Sequence, residues 1–195
     1  MSEAPENATL TASETRKTNW KTALRDILET LILAAVLYLG INAVSARVRV
    51  DGSSMLPTLE DGELVVVNRL AYVFGAQAKR GDIVVFDSPL APEEDLIKRV
   101  IGLSGDEIKI EAGQVYINGT PLEEPYISES PAYSGIWQIE DGCVFVLGDN
   151  RNDSSDSHSW GPLATKDIVG KAILIYWPLS KISLITHNAP ETAGR

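Results

Sequence analysis

Cysteine, histidine, basic charge and long apolar runs are all scarce in this chain. Cys143 is the single cysteine in 195 residues, so an intramolecular disulfide is excluded. It sits in the apolar run Cys143–Leu147 and reads as a small buried hydrophobe. A reactive thiol needs a partly exposed, electropositive setting, which makes a cysteine nucleophile a poor alternative. The two histidines, His158 and His187, are far apart and have no cysteine cluster beside them, so neither a metal site nor a cofactor is expected. Lysine and arginine number 17 against 27 aspartates and glutamates, a formal net charge of −10. With no dense basic cluster, a nucleic-acid partner is not expected. Most of the excess lies after residue 46, where 22 acidic residues accompany 13 basic ones, and it reads as a solvated surface that keeps the domain soluble.

Only one long hydrophobic run is present, residues 27–46. Twenty helical residues cover about 30 Å, the thickness of a bilayer core. Apolar side chains lie all round this helix, so it has no polar face to turn toward water. Glu29 falls in the first turn, where a carboxylate costs less than at the midplane. Arg16, Lys17, Lys21 and Arg25 precede the run, which places the N-terminus in the cytoplasm and the rest of the chain on the extracytoplasmic face; Arg47 and Arg49 oppose this more weakly. Two other readings compete. Val44-Ser45-Ala46 resembles a cleavage site, so the segment could be a removable signal peptide. It could also be a buried core helix, although no comparably apolar segment follows to pack with it. The expected organisation is a disordered cytoplasmic tail over 1–19, a single-pass anchor over 20–46, a β-rich domain over 47–187 and a loose tail over 188–195.

After the anchor the chain reads as short strands. Alternation marks Arg47–Val50 and parts of Glu63–Arg69. Asp82–Phe86 follows the turn signal Arg80-Gly81. Glu107–Ile110 and Gln114–Ile117 form a hairpin around Glu111-Ala112-Gly113, and Asn118-Gly119 makes a further turn. Residues 120–140 carry Pro121, Pro125, Pro131 and Gly135 without clear periodicity, and are expected to form an extended insertion. Ile168–Tyr176 is a long late strand. No amphipathic helix of good length follows residue 46. The expected class is mainly β, an antiparallel barrel or sandwich behind one transmembrane helix.

Three segments carry candidate chemistry. Val50–Leu59 holds Ser54 in a polar turn, and a serine in such a turn is most often only a turn residue. Leu96–Gly102 sets Lys98 among aliphatics. A free lysine, with a pKa of about 10.4, is protonated at neutral pH; burial disfavours the ammonium and can make the amine a base. A lysine in this setting is more often a strand residue with its head in water. On a strand, Lys98 and Arg99 point to opposite faces, so one can enter a site while the other forms an ion pair. Gly148–Pro162 is a dense polar loop after an apolar strand, suited either to turn chemistry or to walling a site.

Taken together, Gly52-x-Ser54-Met55-x-Pro57-Thr58-Leu59, Arg80–Phe86, Lys98-Arg99-Val100-x-Gly102 and Gly148-Asp149-Asn150-Arg151-x-x-Ser154-x-Asp156-Ser157 resemble the boxes of type I signal peptidase, in order, from the anchor to about Pro178. The resemblance implies a membrane-bound serine endopeptidase that cuts signal peptides from exported preproteins. Ser54 would be the nucleophile and Lys98 the general base, working through an acyl-enzyme. Ser154 would hydrogen-bond the lysine amine, Asp156 would support the site, and Arg99 would pair with Asp149. The oxyanion would be held by the Ser54 N–H. Some members add a serine hydroxyl where this chain has Gly52. Many have arginine where this chain has His158, which leaves the partner of Asp156 open. Val50, Met55, Leu59 and Ile97 would shape shallow apolar subsites that admit small residues at P1 and P3. Substrate would pair as an added strand with the segment before Lys98. The implied partners are preprotein signal peptides and membrane lipid, with the secretion machinery as a further candidate, and the implied location is a cell membrane. A self-cleaving repressor of the same clan would need a DNA-binding helical domain, whereas this chain has a membrane span and an acidic balance. A tethered domain that only binds peptides would tolerate loss of Ser54 and Lys98.

Overall fold

Period-two alternation carries directly into the strands. The computed structural model describes residues 20–73, 75–91 and 93–187. The tails expected over 1–19 and 188–195 lie outside the described residues. The chain divides after Gly40 into two units.

In the first unit the helix α1 (Trp20–Val44) begins, 25 residues long with a mean hydropathy of 2.0 over its most apolar window. It has the length and apolarity to cross a membrane, and none of its residues is buried. Thr30 turns its hydroxyl back to the Asp26 carbonyl at 2.8 Å, so it presents no unsatisfied donor to an apolar surround. Arg25 pairs with Glu29 one turn on, at 3.2 Å. The helix ends two residues before the expected boundary, because Ser45 and Ala46 already pair with Asn68 and Val67.

The second unit contains two antiparallel sheets. The larger is built from β1 (Ser45–Arg49), β2 (Leu64–Asn68), β3 (Ile83–Asp87), β4 (Asp95–Gly102), β9 (Cys143–Leu147), β10 (Leu163–Ala164), β11 (Ile168–Trp177) and β12 (Ser183–Leu184). The smaller contains β5 (Glu107–Glu111), β6 (Gln114–Ile117), β7 (Thr120–Pro121) and β8 (Gly135–Gln138). The larger sheet runs β1-β2-β11-β3-β4-β9-β10, with β12 on β11, and the smaller runs β7-β6-β5-β8. The strands β1 and β10 at the ends of the larger sheet do not pair with each other, so the barrel alternative is set aside in favour of open sheets. The one α-helix after α1 among the described residues is α2 (Ser157–Trp160), a single turn.

The tight turns fall where the sequence placed them. Ala112 and Gly113 between β5 and β6, and Asn118 and Gly119 between β6 and β7, all have positive φ. Within 120–140 the expectation of an extended insertion is only partly met, because Gly135–Gln138 forms β8 and pairs with β5.

Alternation on β3 puts Ile83 and Val85 into one core and Val84 and Phe86 into another. The first core lies beneath the Ser54 loop and includes Val50, Met55, Leu59, Val65, Val67 and Ile97. A third core joins Ile101, Phe145 and Leu147 of the larger sheet to Ile108, Ile110, Val115 and Ile117 of the smaller. Burying each of these aliphatic side chains contributes about 1.5–3 kcal/mol before entropy is counted. Together these cores fix β4, the strand on which the chemistry depends.

Candidate active site

Ser54 stands in a turn whose base is closed by two backbone bonds, Val50 N–H to the Glu63 carbonyl at 2.8 Å and Gly62 N–H to the Val50 carbonyl at 2.9 Å. Leu56 N–H donates to the Ser53 carbonyl and Leu59 N–H to the Met55 carbonyl, which coils the segment over its own core. The polar loop after β9 clamps it from outside. Asn150 N–H donates to the Ser54 carbonyl at 3.0 Å and the Asn150 side-chain amide to the Ser53 carbonyl at 3.2 Å. Ser53 also donates its hydroxyl to Asp153. Gly148 has to be glycine, because a Cβ there would collide with the Ser54 carbonyl and the Ser154 side chain.

Lys98 approaches from β4. Across the ladder it is opposite Val84, and along the strand it shares a face with Val100. It is 3% exposed, and its Nζ is 2.7 Å from Ser54 Oγ and 2.9 Å from the Ile97 carbonyl. Burial pushes its pKa down to about 8, against the pull of Asp156 and then Asp149 in the other direction. At pH 7 about one lysine in ten is then a neutral amine, against fewer than one in a thousand in water.

Arg99 is buried as deeply and has the opposite surroundings. Its Nε and Nη2 donate to the two oxygens of Asp149 at 2.8 and 2.6 Å. Register explains the meeting: Arg99 pairs with Leu147 on β9, so Asp149, two residues on, lies beside it. Thr58 adds its hydroxyl to Asp149 at 2.5 Å, tying the Ser54 loop to the pair. Arg99 also donates to the Gly81 carbonyl and lies 4.0 Å from the centroid of the Tyr126 ring. Tyr126 comes from the 120–140 segment, whose Glu124 holds both guanidinium nitrogens of Arg151 at 2.5 and 2.6 Å.

The other expected residues divide. Asp156 is fully buried and accepts from Gly148 N–H at 2.9 Å and from His158 Nδ1 at 2.7 Å, so His158 takes the place left open opposite it. Ser154 lies against Gly148, yet its buried hydroxyl makes no hydrogen bond; the expected bond to Lys98 is not formed. The lysine amine is engaged by Ser54 and the Ile97 carbonyl instead. Gly52 has φ +85, and its N–H donates to Asp61 at 2.8 Å. The Ser54 N–H has no hydrogen-bond partner among the described residues.

A small cavity of about 50 Å³ opens beside the dyad, lined by Val50, Met55 and Ile97 together with Ser54, Lys98 and Leu96. Leu59 does not line it. It is fully buried in the core that also holds Met55, below the turn that carries Ser54. On the side away from β3, β9 meets β4 only from Arg99 onward, so Asp95–Lys98 presents an unpaired strand edge among the described residues. Among the described residues no group of three or more His, Cys, Asp and Glu is arranged to hold a metal ion.

Sequence reasoning missed Thr58, Asn150 and the Glu124–Arg151 strut. Thr58, Asn150 and Arg151 stood in boxes already recognised, but nothing local tells which backbone or carboxylate each will meet. Glu124 had no signal, since its partner is 27 residues away and follows no period.

The chain is similar to proteins of one family. The family model described as signal peptidase, peptidase S26, matches residues 24–177. A probable signal peptidase I-2 of Synechocystis sp. is 38% identical over 172 residues, 85% of this chain and 78% of that protein. A signal peptidase I of Leptolyngbya laminosa is 40% identical over 168 residues, 82% of each chain. A signal peptidase I of Bacillus amyloliquefaciens is 36% identical over 183 residues, 87% of this chain and 97% of that one. By these matches the chain belongs to the signal peptidase family, peptidase S26, and is a serine peptidase.

Proposed function

We propose that this chain removes signal peptides from exported preproteins, with Ser54 as nucleophile and Lys98 as general base. The observation that carries the reading is the 2.7 Å contact between Lys98 Nζ and Ser54 Oγ at a buried lysine. A neutral amine has one lone pair and two N–H groups. The lone pair takes the Ser54 proton as Oγ attacks the scissile carbonyl carbon, and the resulting ammonium gives that proton to the leaving amine. The peptide C–N bond breaks and an acyl-serine ester remains. Lys98 then deprotonates water, which attacks the ester and frees Ser54. One amine N–H is held by the Ile97 carbonyl. The other is available to a further acceptor, the role the family resemblance gives to the hydroxyl of Ser154, which is buried and unpartnered. The free Ser54 N–H is the backbone donor to the oxyanion, and each such donor is worth about 10²–10³ in rate.

The open edge Asp95–Lys98 suits an extended substrate added as a strand. A cavity of about 50 Å³ beside the dyad favours methyl-sized side chains at P1 and P3. Val50, Met55 and Ile97 form its apolar wall. The apolar helix α1 anchors the enzyme in a cell membrane, N-terminus inside and catalytic domain outside, where lipid and the secretion machinery are its neighbours. The test is to incubate wild type and Lys98→Ala with a preprotein bearing Ala-x-Ala before the cut and to map the product termini. Cleavage after the second alanine by wild type alone is expected. Appreciable turnover by folded Lys98→Ala refutes the dyad.

A further inference from the structure

Two strands share one edge of β11. Strand β2 holds the opposite edge from Lys171 to Trp177. On the shared edge β3 pairs with Ile168, Gly170 and Lys171, and β12 pairs with Leu174 and Ile175. A further bond from Ile185 N–H to the Ile173 carbonyl at 3.0 Å carries the chain toward the start of β3. His187 stands where one strand hands over to the other, half-buried. Its Nδ1 accepts from the Ile83 N–H at 3.3 Å. Ile83 is fully buried, so without the imidazole this donor has no water to satisfy it. Ile83 is also opposite Arg99 across the β3–β4 ladder, and Val84 is opposite Lys98. Arg99 donates to the Gly81 carbonyl just before β3. Strand β12 is two exposed residues long, and Ile185 sinks into the first core beside it. One imidazole therefore joins this thinly held segment to the strand that backs the dyad.

We propose that His187 is a positioning residue, an acid-labile latch that clasps the β12 segment to the first residue of β3 and so steadies the β3–β4 ladder that carries Lys98. The proposal rests on the reading of Lys98 as the base. As an acceptor Nδ1 bears no proton, so the neutral ring keeps its proton on Nε2. A second proton goes to Nδ1 and turns the acceptor of the Ile83 N–H into a competing donor. The bond and the charge exclude each other. The groups that face the ring are Lys171 from β11, Arg99 from β4 and Asp82 from the turn before β3. Asp82 is itself held by Lys171 Nζ at 2.6 Å, the Tyr72 hydroxyl at 2.8 Å and the Lys79 N–H at 2.9 Å. Burial, then Lys171, holds the imidazole below its ordinary pKa; Asp82 works against them and Arg99 with them. A histidine whose pKa is lowered by folding contributes stability that is present above the ordinary value and lost as pH falls through the lowered one. The latch is closed at neutral pH and opens in acid.

The experiment compares full-length wild type, His187→Gln and His187→Leu in detergent. Glutamine offers a side-chain oxygen to the Ile83 N–H at every pH, and leucine offers none. The first readout is amide hydrogen exchange at Ile83, taken relative to the intrinsic rate at each pH. Protection in wild type should drop about tenfold between pH 7 and pH 4.5, while His187→Gln holds its protection across that range. In His187→Leu the amide should already be about tenfold less protected at pH 7. If that variant does not fold, the pH course of wild type against His187→Gln decides alone. The second readout is kcat/KM on a peptide carrying Ala-x-Ala, as the ratio of wild type to His187→Gln, in which the Lys98 titration cancels. The ratio should be constant above pH 7 and fall about threefold by pH 5. Protection in wild type that does not change with pH overturns the latch, and a flat activity ratio overturns the positioning role. Neither result bears on the dyad. Turnover by folded Lys98→Ala would remove the base and with it the positioning role, and would leave the exchange result standing.

Discussion

Lys98 and Arg99 are consecutive, cationic and almost equally buried, at 3% and 1% exposure, yet they have opposite fates. Arg99 meets a carboxylate that matches its fork with two short bonds. Lys98 meets a serine hydroxyl and a carbonyl, neither of which bears a charge. Burial is common to both, and the partner decides. Bidentate pairing makes Arg99 a fixed part of the frame. Withholding a direct counter-ion from Lys98 turns desolvation into basicity. The two carboxylates that pull on the amine, Asp156 and Asp149, are hydrogen-bonded to His158 and Arg99 and not to Lys98.

Exchanging the two roles gives the largest expected effect. Lys98→Arg keeps the charge but cannot release a proton, so turnover should fall by about 10⁴-fold or more, as should that of Ser54→Ala. The double variant Ser54→Ala with Lys98→Ala should be little worse than either single one, since the pair acts as a unit. Single-turnover cleavage assays measure this, and substantial activity in folded Lys98→Arg would erase the contrast between the two cations.

The second test removes the partner that distinguishes Arg99. Asp149→Ala leaves a buried guanidinium unpaired, which should cost about 3–5 kcal/mol in urea unfolding. Activity should fall with stability, because Thr58 loses the acceptor that ties the Ser54 loop to Asp149. A loss below about 1 kcal/mol, the range of exposed pairs, would mean that the pair is not buried in solution.

A third test reads the cost of Lys98 directly. In the folded chain its pKa falls from 10.5 to about 8. Below the lower value both folded and unfolded lysines are protonated, and the fold bears the full penalty of a buried ammonium. Between the two values only the unfolded chain still holds the proton, so stability rises with pH and the penalty is gone above the upper one. Lys98→Met lacks this term. It should be more stable than wild type by about 3 kcal/mol at pH 7, with the difference shrinking toward zero at alkaline pH. A difference independent of pH would show that Lys98 titrates normally.

The smallest effect concerns Gly52. Its φ of +85 penalises any Cβ, although the space around it is open. Gly52→Ala and Gly52→Ser should each lose about 1 kcal/mol of stability. Only serine adds a hydroxyl, so a higher kcat for serine than alanine would show that this position faces the oxyanion. Equal kcat values would show that it does not.

The sites differ in how far they could be read from the chain. Helix α1, the strands and the tight turns rest on contacts between residues a few positions apart, and composition with periodicity is enough for those. Lys98 was recognisable because its own neighbours are aliphatic. Leu59 was misplaced because adjacency to a recognised box does not tell whether a side chain lines a cavity or fills the core below it. Ser154 was expected on the amine, but the hydrogen bonds that Lys98 makes instead depend on how β4 and the Ser54 loop meet.

The sequence by itself determined the kinds of group present and the faces they take: one membrane-length helix, a sheet-forming remainder, a serine in a glycine turn, and a lysine and arginine on opposite sides of one strand. Tertiary structure alone decided which cation received the carboxylate, that His158 would hold Asp156, that Glu124 would reach Arg151, and that the sheets would stay open. These choices depend on register and on packing between residues tens of positions apart, and a proton's free energy is set by all the groups around it. A local pattern encodes neither.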